Sequence, residues 1–371
     1  MTLDARLVVR RGDFVLDAAL EVAAGEVVAL LGPNGSGKST LLGALAGLLP
    51  IESGVVSVNG RVVTSTAAGV EVPPHRRTVG LLGQEPLLFP HLTVLQNVEF
   101  GPRAHRRGTA VARDLAREWL GAVGLAGFEH RRPSELSGGQ QQRAAIARAL
   151  AAEPELLLLD EPMASLDVES ASLLRTLLRE RLSSARTTTV LVTHDVVDAI
   201  VLADRVVILD SGRVADGGSP ETVLWHPVNG FAASLAGLNL LRGIVASDGS
   251  VAVMDTSGNR RMFAGHGHAL AAGSEALVAF PRSAVSVREF DTGRSSHAVN
   301  AWTGSVALLE PAAGGIRIMF SGDDVVAEVP STEVFEHHLG AGSHVALHVD
   351  PAFVTVYAAR RVPANDARMV R

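Results

Sequence analysis

The sequence has no cysteine and, among its 371 residues, a single lysine. Without thiols, a disulfide framework and a thiolate metal site are both excluded, and a reducing compartment is permitted. No apolar run approaches the roughly 18–20 residues that a membrane helix needs. Residues 1–11 also lack the apolar core of a signal peptide. The chain is therefore expected to be soluble, with any membrane role supplied by a partner. A strong positive balance is missing too: the net charge is -6 and the basic residues are scattered, so composition carries no footprint for nucleic acid. Short groups such as Arg103, Arg106 and Arg107 read as solvated loop. At this length two domains are expected rather than one.

What is present starts at the lysine. Of the 33 Lys and Arg residues, 32 are arginine, so arginine serves almost wherever a positive charge is placed. Lys38 is the exception, and it stands in Gly32-Pro33-Asn34-Gly35-Ser36-Gly37-Lys38-Ser39, which fits the G-x-x-x-x-G-K-[ST] phosphate-loop pattern. The apolar run Val27–Leu31 suits a buried strand, and Thr40 to Leu49 carries helix formers, so strand, loop and helix follow in the required order. Glycines let backbone N–H groups curl around phosphate oxygens at a helix N-terminus, where the dipole is positive. A compact ammonium on a flexible stem reaches the β and γ phosphates, where a planar guanidinium does not fit. Gly32 through Ser39, with Thr40, are the candidate nucleotide-binding residues, in a pattern that many ATPases and GTPases would fit.

A second apolar strand, Leu156–Leu159, ends in Asp160-Glu161. Two carboxylates at the carboxyl edge of a parallel sheet lie where α/β folds bind ligands. Asp160 suits Mg²⁺ through its water shell, with Ser39 as a direct hydroxyl ligand. Glu161 is placed to polarise a water, although an acidic helix cap before Pro162 is its plainer alternative. These parts imply in-line transfer of a γ-phosphoryl group to water.

Leu136-Ser137-Gly138-Gly139-Gln140, followed by Gln141-Gln142-Arg143, resembles the signature of the ABC ATPase family. The resemblance continues in order. Gln84 looks like the glutamine loop, Ser165-Leu166-Asp167 like the D-loop, and His194 in Val192-Thr193-His194-Asp195 like the switch histidine. It covers about residues 1–235 and implies a P-loop NTPase domain of the α/β class. Gln84 would then approach Mg²⁺ and the attacking water, and His194 the γ-phosphate. Ser137, Gly138, Gly139 and Gln140, with Asp167, would complete the ATP site of a second subunit in a head-to-tail homodimer. Two departures stand out. The family often stacks adenine on an aromatic residue near the amino terminus, whereas this region offers Phe14 with Arg10 and Arg11 beside it, and the platform is left unassigned. Gly83 also takes the place of a bulkier residue before the glutamine.

The segments Pro73–Gly80, Leu88–Val94 and Asn97-Val98 resemble prokaryotic importers of oxyanions, sugars, polyamines and iron, whose corresponding groove accepts a coupling helix of the permease. Residues 12–17, 59–63 and 64–72 look most like the molybdate-importer ATPases. After about residue 236 the texture changes to short strands separated by glycine, suggesting small all-β modules. Asn239–Val245 returns as Asn300–Val306 at an offset of 61, and Gly273-Ser274 with Val285–Val287 returns as Gly342-Ser343 with Val354–Val356 at an offset of 69. The expected division is an ATPase domain at 1–235, a first β module at 236–290, a second at 297–360 and a tail at 361–371, with Arg288–Ala298 as linker. The modules resemble oligosaccharide-binding-like and Mop/TOBE domains. Where the Mop motif often reads Ser-x-Arg-Asn, this chain has His297-Ala298-Val299-Asn300.

The reading implied is an ATP-hydrolysing importer subunit at the cytoplasmic face of a membrane. It would work as a homodimer with permease subunits and, through them, an extracytoplasmic binding protein. Molybdate or a related oxyanion is the expected cargo, with sulfate, ferric iron, a polyamine or sugar as the alternative. A soluble ABC ATPase of repair or translation is the reading from another class, but the long coiled-coil insertion or second cassette usual there is absent from the sequence. Glu161→Gln is expected to retain ATP binding and to lower turnover by about a hundredfold or more; single-turnover hydrolysis at unchanged rate would refute the role given to Glu161.

Overall fold

The computed structural model describes residues 2–256, 258–267, 269–289, 299–312 and 314–359. The chain divides into two compact units between Pro220 and Glu221. In the first, the order is β1 (Leu3–Arg11), β2 (Phe14–Val22), β3 (Val27–Leu31), α1 (Lys38–Ala46), β4 (Ser53–Val58), β5 (Arg61–Ser65), β6 (Val70–Glu71) and β7 (Val79–Leu82). Next come α2 (Val94–Ala104), α3 (Thr109–Ala122), α4 (Gly138–Ala151), β8 (Leu156–Asp160), α5 (Val168–Ala185), β9 (Thr188–Val192), α6 (Val196–Leu202), β10 (Arg205–Asp210) and β11 (Arg213–Gly218).

Two sheets result. The antiparallel one runs β2-β1-β4-β5-β6 and the other β11-β10-β3-β9-β8-β7. In the second sheet β10, β3, β9, β8 and β7 are parallel neighbours. β3, β8 and β9 are buried at every position, as strands covered on both faces must be, which is why Val27–Leu31 and Leu156–Leu159 read as unbroken apolar runs, while β9 opens on two buried threonines. β1 and β2 instead alternate buried residues with half-buried or exposed ones, because one face packs more closely than the other. The β4–β5 hairpin turns on Asn59-Gly60, both at positive φ, the conformation that suits a two-residue turn to the strand twist. The helix expected over 40–49 runs Lys38–Ala46 instead. It stops at Gly47, whose left-handed φ of 77° ends the ladder. A Cβ there would lie 2.4 Å from the guanidinium of the buried Arg77, which donates to the carbonyls of Ala44 and Leu45 at 3.4 and 3.2 Å. Among the described residues no helix is long and apolar enough to cross a membrane.

After α7 (Pro220–Trp225) and α8 (Gly230–Leu235), the second unit contains β12 (Leu238–Val245), β13 (Val251–Met254), β14 (Arg260–Phe263), β15 (His266–Gly267), β16 (Glu275–Pro281) and β17 (Val285–Glu289). Then follow β18 (Ala301–Ala312), β19 (Gly315–Phe320), β20 (Val326–Val329), α9 (Ser331–Glu336), β21 (His344–Val349) and β22 (Thr355–Ala358). The sheets are β14-β13-β12-β16-β22-β15 and β17-β21-β18-β19-β20. The two repeat copies have exchanged their last strands: β17 of the first copy closes the second sheet, and β22 of the second joins the first. The registers match by the repeat, Val278 facing Val356 and Leu347 facing Val287. The spans 236–290 and 297–360 are therefore interlocked rather than each closing a sheet of its own. Of the linker expected at 288–298, Arg288 and Glu289 end β17, while 290–298 and the tail at 361–371 lie outside the described residues.

A second reciprocal contact joins the copies. Asn239 and Asn300 occupy equivalent repeat positions and are 4% and 0% exposed. The Asn239 amide donates to the Val326 carbonyl at 2.9 Å and accepts from the Val326 N–H at 2.8 Å. Asn300 does the same to Ala264, at 2.9 and 2.7 Å. Each asparagine thus satisfies a backbone pair in the opposite copy that would otherwise lose its partners away from water. Asn300→Ala is expected to destabilise the second unit by about 2 kcal/mol and to speed hydrogen exchange at the Ala264 amide; a chain unchanged in both would show that the clamp contributes nothing.

Candidate functional site

The neighbouring strands β3, β9, β8 and β7 deliver the sequence-selected groups at their carboxyl ends. β3 leads into the phosphate loop, β9 into His194, β8 into Asp160 and Glu161, and β7 into Gln84. Asn34, Gly35, Gly37, Lys38, Ser39 and Thr40 line a cavity of about 800 Å³ together with Gln84, Glu161, Arg11, Gly12 and Phe14. Gly32, Pro33 and Ser36 lie behind this surface: the Lys38 Nζ donates to the carbonyls of Gly32 and Pro33 at 2.7 and 3.0 Å, and Ser36 is 2% exposed. Gly37 is the N-cap of α1 at φ 107°, so the loop's N–H groups and the positive end of the helix dipole share one anion-binding mouth.

Burial lowers the pKa of Lys38, against the opposing pull of Glu161 and Asp160. Burial raises that of Asp160, against a hydrogen bond from Ser39 and with Glu161 adding to the rise. Asp160 is 5% exposed, and its Oδ1 is buried with no hydrogen-bond partner. An orphaned carboxylate oxygen beside the Ser39 hydroxyl, with the Gln84 amide on the same cavity, is an all-oxygen donor set that fits a hard divalent cation. Glu161 sits at φ 49°, a left-handed conformation uncommon for a residue with a Cβ. Its N–H donates to the Val192 carbonyl at 2.9 Å, and its Oε1 lies 3.4 Å from His194 Nδ1. Gln142, buried on α4, donates to the Pro162 carbonyl at 3.1 Å and holds the turn that follows Glu161.

Asp160 and His194 lie beside the cavity residues Ser39 and Glu161 without lining the cavity themselves, and the remaining predicted residues are not in it either. Ser137 caps α4: its Oγ accepts from the Gln140 N–H at 3.3 Å, and Gln140 Oε1 accepts from the Ser137 N–H at 3.0 Å. Ser137 and Gly138 are exposed. Asp167 caps α5, accepting from the Ser170 N–H at 2.9 Å. The two caps adjoin, since a Cβ on Gly139 would lie 3.6 Å from the Ser165 carbonyl oxygen. One chain thus carries a phosphate-loop cavity and, apart from it, a second exposed helix N-terminus.

The profile of the ABC transporter family matches residues 15–164. The molybdenum import ATP-binding protein ModC of Mycobacterium tuberculosis is 48% identical over 276 residues, covering 73% of this chain and 74% of that protein. The chain belongs to the ABC transporter family of ATP-binding proteins. The sulfate/thiosulfate import ATP-binding protein CysA of Nocardia farcinica is 46% identical, covering 60% of this chain and 65% of its own. The Fe(3+) ions import protein FbpC of Streptomyces avermitilis is 45% identical, covering 67% and 71%. Among solved structures, a dimeric ATP-binding cassette in a post-hydrolysis state with ADP and Pi superposes with a TM-score of 0.52 at 30% identity, over 59% of this chain and 98% of that one. The protein is an ATPase, and its hydrolysis is coupled to import.

In this ABC ATPase the structure adds residues that the motifs did not single out. Arg175 on α5 donates to Asp198 and to Asp195, both at 2.5 Å, and the Thr193 hydroxyl donates to Asp198 at 2.6 Å. The Asp195 N–H in turn donates to Thr193 Oγ1 at 3.0 Å. Both neighbours of His194 are therefore tied to the helix that Asp167 caps, through an arginine 16% exposed and an aspartate 3% exposed. The only sequence signal is an arginine eight residues beyond Asp167, which contiguous motifs do not reveal. Arg175→Met is expected to cut turnover by about tenfold to a hundredfold through misplacement of His194, leaving ATP affinity within twofold, with Arg175→Lys intermediate. An unchanged turnover number would show that the network does not position the histidine.

Proposed function

We propose that this ATPase energises uptake of molybdate or a related oxyanion. One observation favours that cargo over the other importer substrates: the molybdenum relative matches at higher identity and over more of the chain, 48% over 73%, than the ferric-iron relative, 45% over 67%. The sulfate relative from Nocardia covers 60%.

In this reading Gly32 to Thr40 hold the triphosphate of ATP by backbone N–H groups and the Lys38 ammonium. Mg²⁺, held by Ser39 and Asp160 with Gln84 near it, would neutralise charge on the β and γ oxygens. Glu161 accepts a hydrogen bond from the attacking water and orients it in line. His194, beside Glu161, donates to the γ-phosphate as charge builds there. Ser137, Gly138 and Gly139, with Gln140 and Asp167, complete the site of a second copy. That assignment is supported by the separation of the exposed α4 N-terminus from the cavity of its own chain, and by the dimeric state of the similar cassette. Closure of two copies around ATP and reopening after hydrolysis then transmit work to permease subunits. The ATPase sits at the cytoplasmic face of the membrane, and an extracytoplasmic binding protein delivers the oxyanion.

The test is ATP hydrolysis by the chain assembled with its permease and binding protein in vesicles. Molybdate is expected to stimulate turnover several-fold and to accumulate inside, with no response to sulfate or ferric iron. Stimulation by sulfate and not by molybdate would overturn the assignment.

A further inference from the structure

Between Leu82, which ends β7, and Val94, which opens α2, the chain forms no strand or helix, and Gln84 stands near the beginning of this stretch. A side chain on such a stretch meets a reacting group reproducibly only where the backbone is held. Nothing local holds it at the start. Leu82 makes the last pairing of β7, with Leu159. Gly83 follows without a side chain, and a Cβ there would meet nothing within 4 Å. Gln84 and Glu85 are exposed. The farther half of the stretch is fastened to α2 by the buried Asn97, which accepts from the Phe89 N–H at 2.8 Å and donates to the carbonyls of Phe89 and Thr93 at 3.2 and 2.9 Å.

The nearer half is fastened by one side chain from another element. Arg148 on α4 donates through Nη2 to the Pro86 carbonyl at 3.0 Å and through Nη1 to the Leu87 carbonyl at 2.9 Å. Among the described residues these are the only hydrogen bonds to the backbone between Gly83 and Leu88. Leu87 stands at φ 41°, in the left-handed region, with its side chain 70% exposed, so neither its own preference nor its packing accounts for the conformation. The company of the guanidinium is also unusual. Burial lowers its pKa, its carbon lies 5.3 Å from the Phe89 ring centroid, and no carboxylate pairs with it among the described residues. A charge withdrawn from water without a counter-ion is costly unless its donors are used, and here both bonds go to the turn just after Gln84. A planar fork of donors suits two adjacent carbonyls. We propose that Arg148 is the positioning residue of Gln84, fixing the loop that Gly83 leaves free. Because α4 runs unbroken from Gly138 to Ala151, Arg148 stands roughly 15 Å along its axis from the exposed N-terminus. The helix that presents Ser137 and Gly138 thus also sets Gln84. The inference rests on the reading of Gln84 as a group that acts on the attacking water.

A double-mutant cycle with Gln84 tests this, reading turnover of the full chain at saturating ATP and Mg²⁺ beside ATP affinity by calorimetry. Arg148→Met is expected to lower turnover about tenfold and to leave ATP affinity within about twofold. Arg148→Lys, which keeps donors for the carbonyls, loses less. In a Gln84→Ala background Arg148→Met is expected to change turnover by less than about twofold, because the group it positions is gone. Unchanged turnover in Arg148→Met would overturn the proposal. So would the same loss with and without Gln84, which is what a loosened α4 alone would give. If the methionine variant does not fold, the cycle is run with Arg148→Lys, and equal losses in the two backgrounds overturn the proposal there as well. Gln84→Ala turning over as fast as wild type would instead remove the role given to Gln84, and the proposal with it.

Discussion

The phosphate loop is held by backbone pressed against backbone, and the rest of the first unit is arranged around that contact. A Cβ on Gly32 would lie 2.1 Å from the Leu209 carbonyl oxygen, so the loop leaves β3 flush against the end of β10. Farther along, the Ser36 carbonyl accepts from the Gly212 N–H at 3.1 Å, and the Gly212 carbonyl accepts from the Asp17 N–H at 2.7 Å. The β10–β11 turn thereby ties the loop to β2. Donors fixed in this way meet an anion without first reorganising, which is what gives a cluster of backbone dipoles its strength. Side chains at Gly32 or Gly212 would part these contacts, and the anion-binding mouth would lose its shape before any charged group was touched.

Around the clamp the charged groups are set against burial rather than eased by it. Desolvation pulls the Lys38 ammonium towards its neutral form and pushes Asp160 towards its protonated one. Each is opposed by the other and by neighbours, so the set holds its charges only as a group. A polyanion bound with a divalent cation would supply counter-charges in the same cavity and so relieve a tension that the folded chain carries.

Much of this was legible in the sequence because it is local. The phosphate loop, Leu156–Asp160 with Glu161, Ser137–Gln140 and His194 are contiguous stretches, and the apolar runs beside them identify buried parallel strands without knowledge of their partners. What escaped depends on residues far apart in the chain. Arg175 gains its meaning only when α5 and α6 are packed, and Arg77 only when the end of α1 reaches it. The repeat at 239 and 300 was visible as a repeat, yet nothing local says that β17 and β22 should change places, since each suits either sheet equally well. The early end of α1 was missed for a similar reason, because Gly47 reads as a helix breaker only once its φ and the neighbouring guanidinium are known.

The exchange of β17 and β22 bears on how the protein is made. The first sheet of the second unit needs Thr355–Ala358, so its β16 edge stays open until β22 has left the ribosome. The two sheets of the first unit have no such debt, since β1 to β11 are all encoded before residue 220, and they can form during synthesis. Translation therefore yields a folded ATPase unit trailing a half-built β domain, and a chain that stops short of β22 leaves an uncovered strand edge of the kind that pairs with other chains.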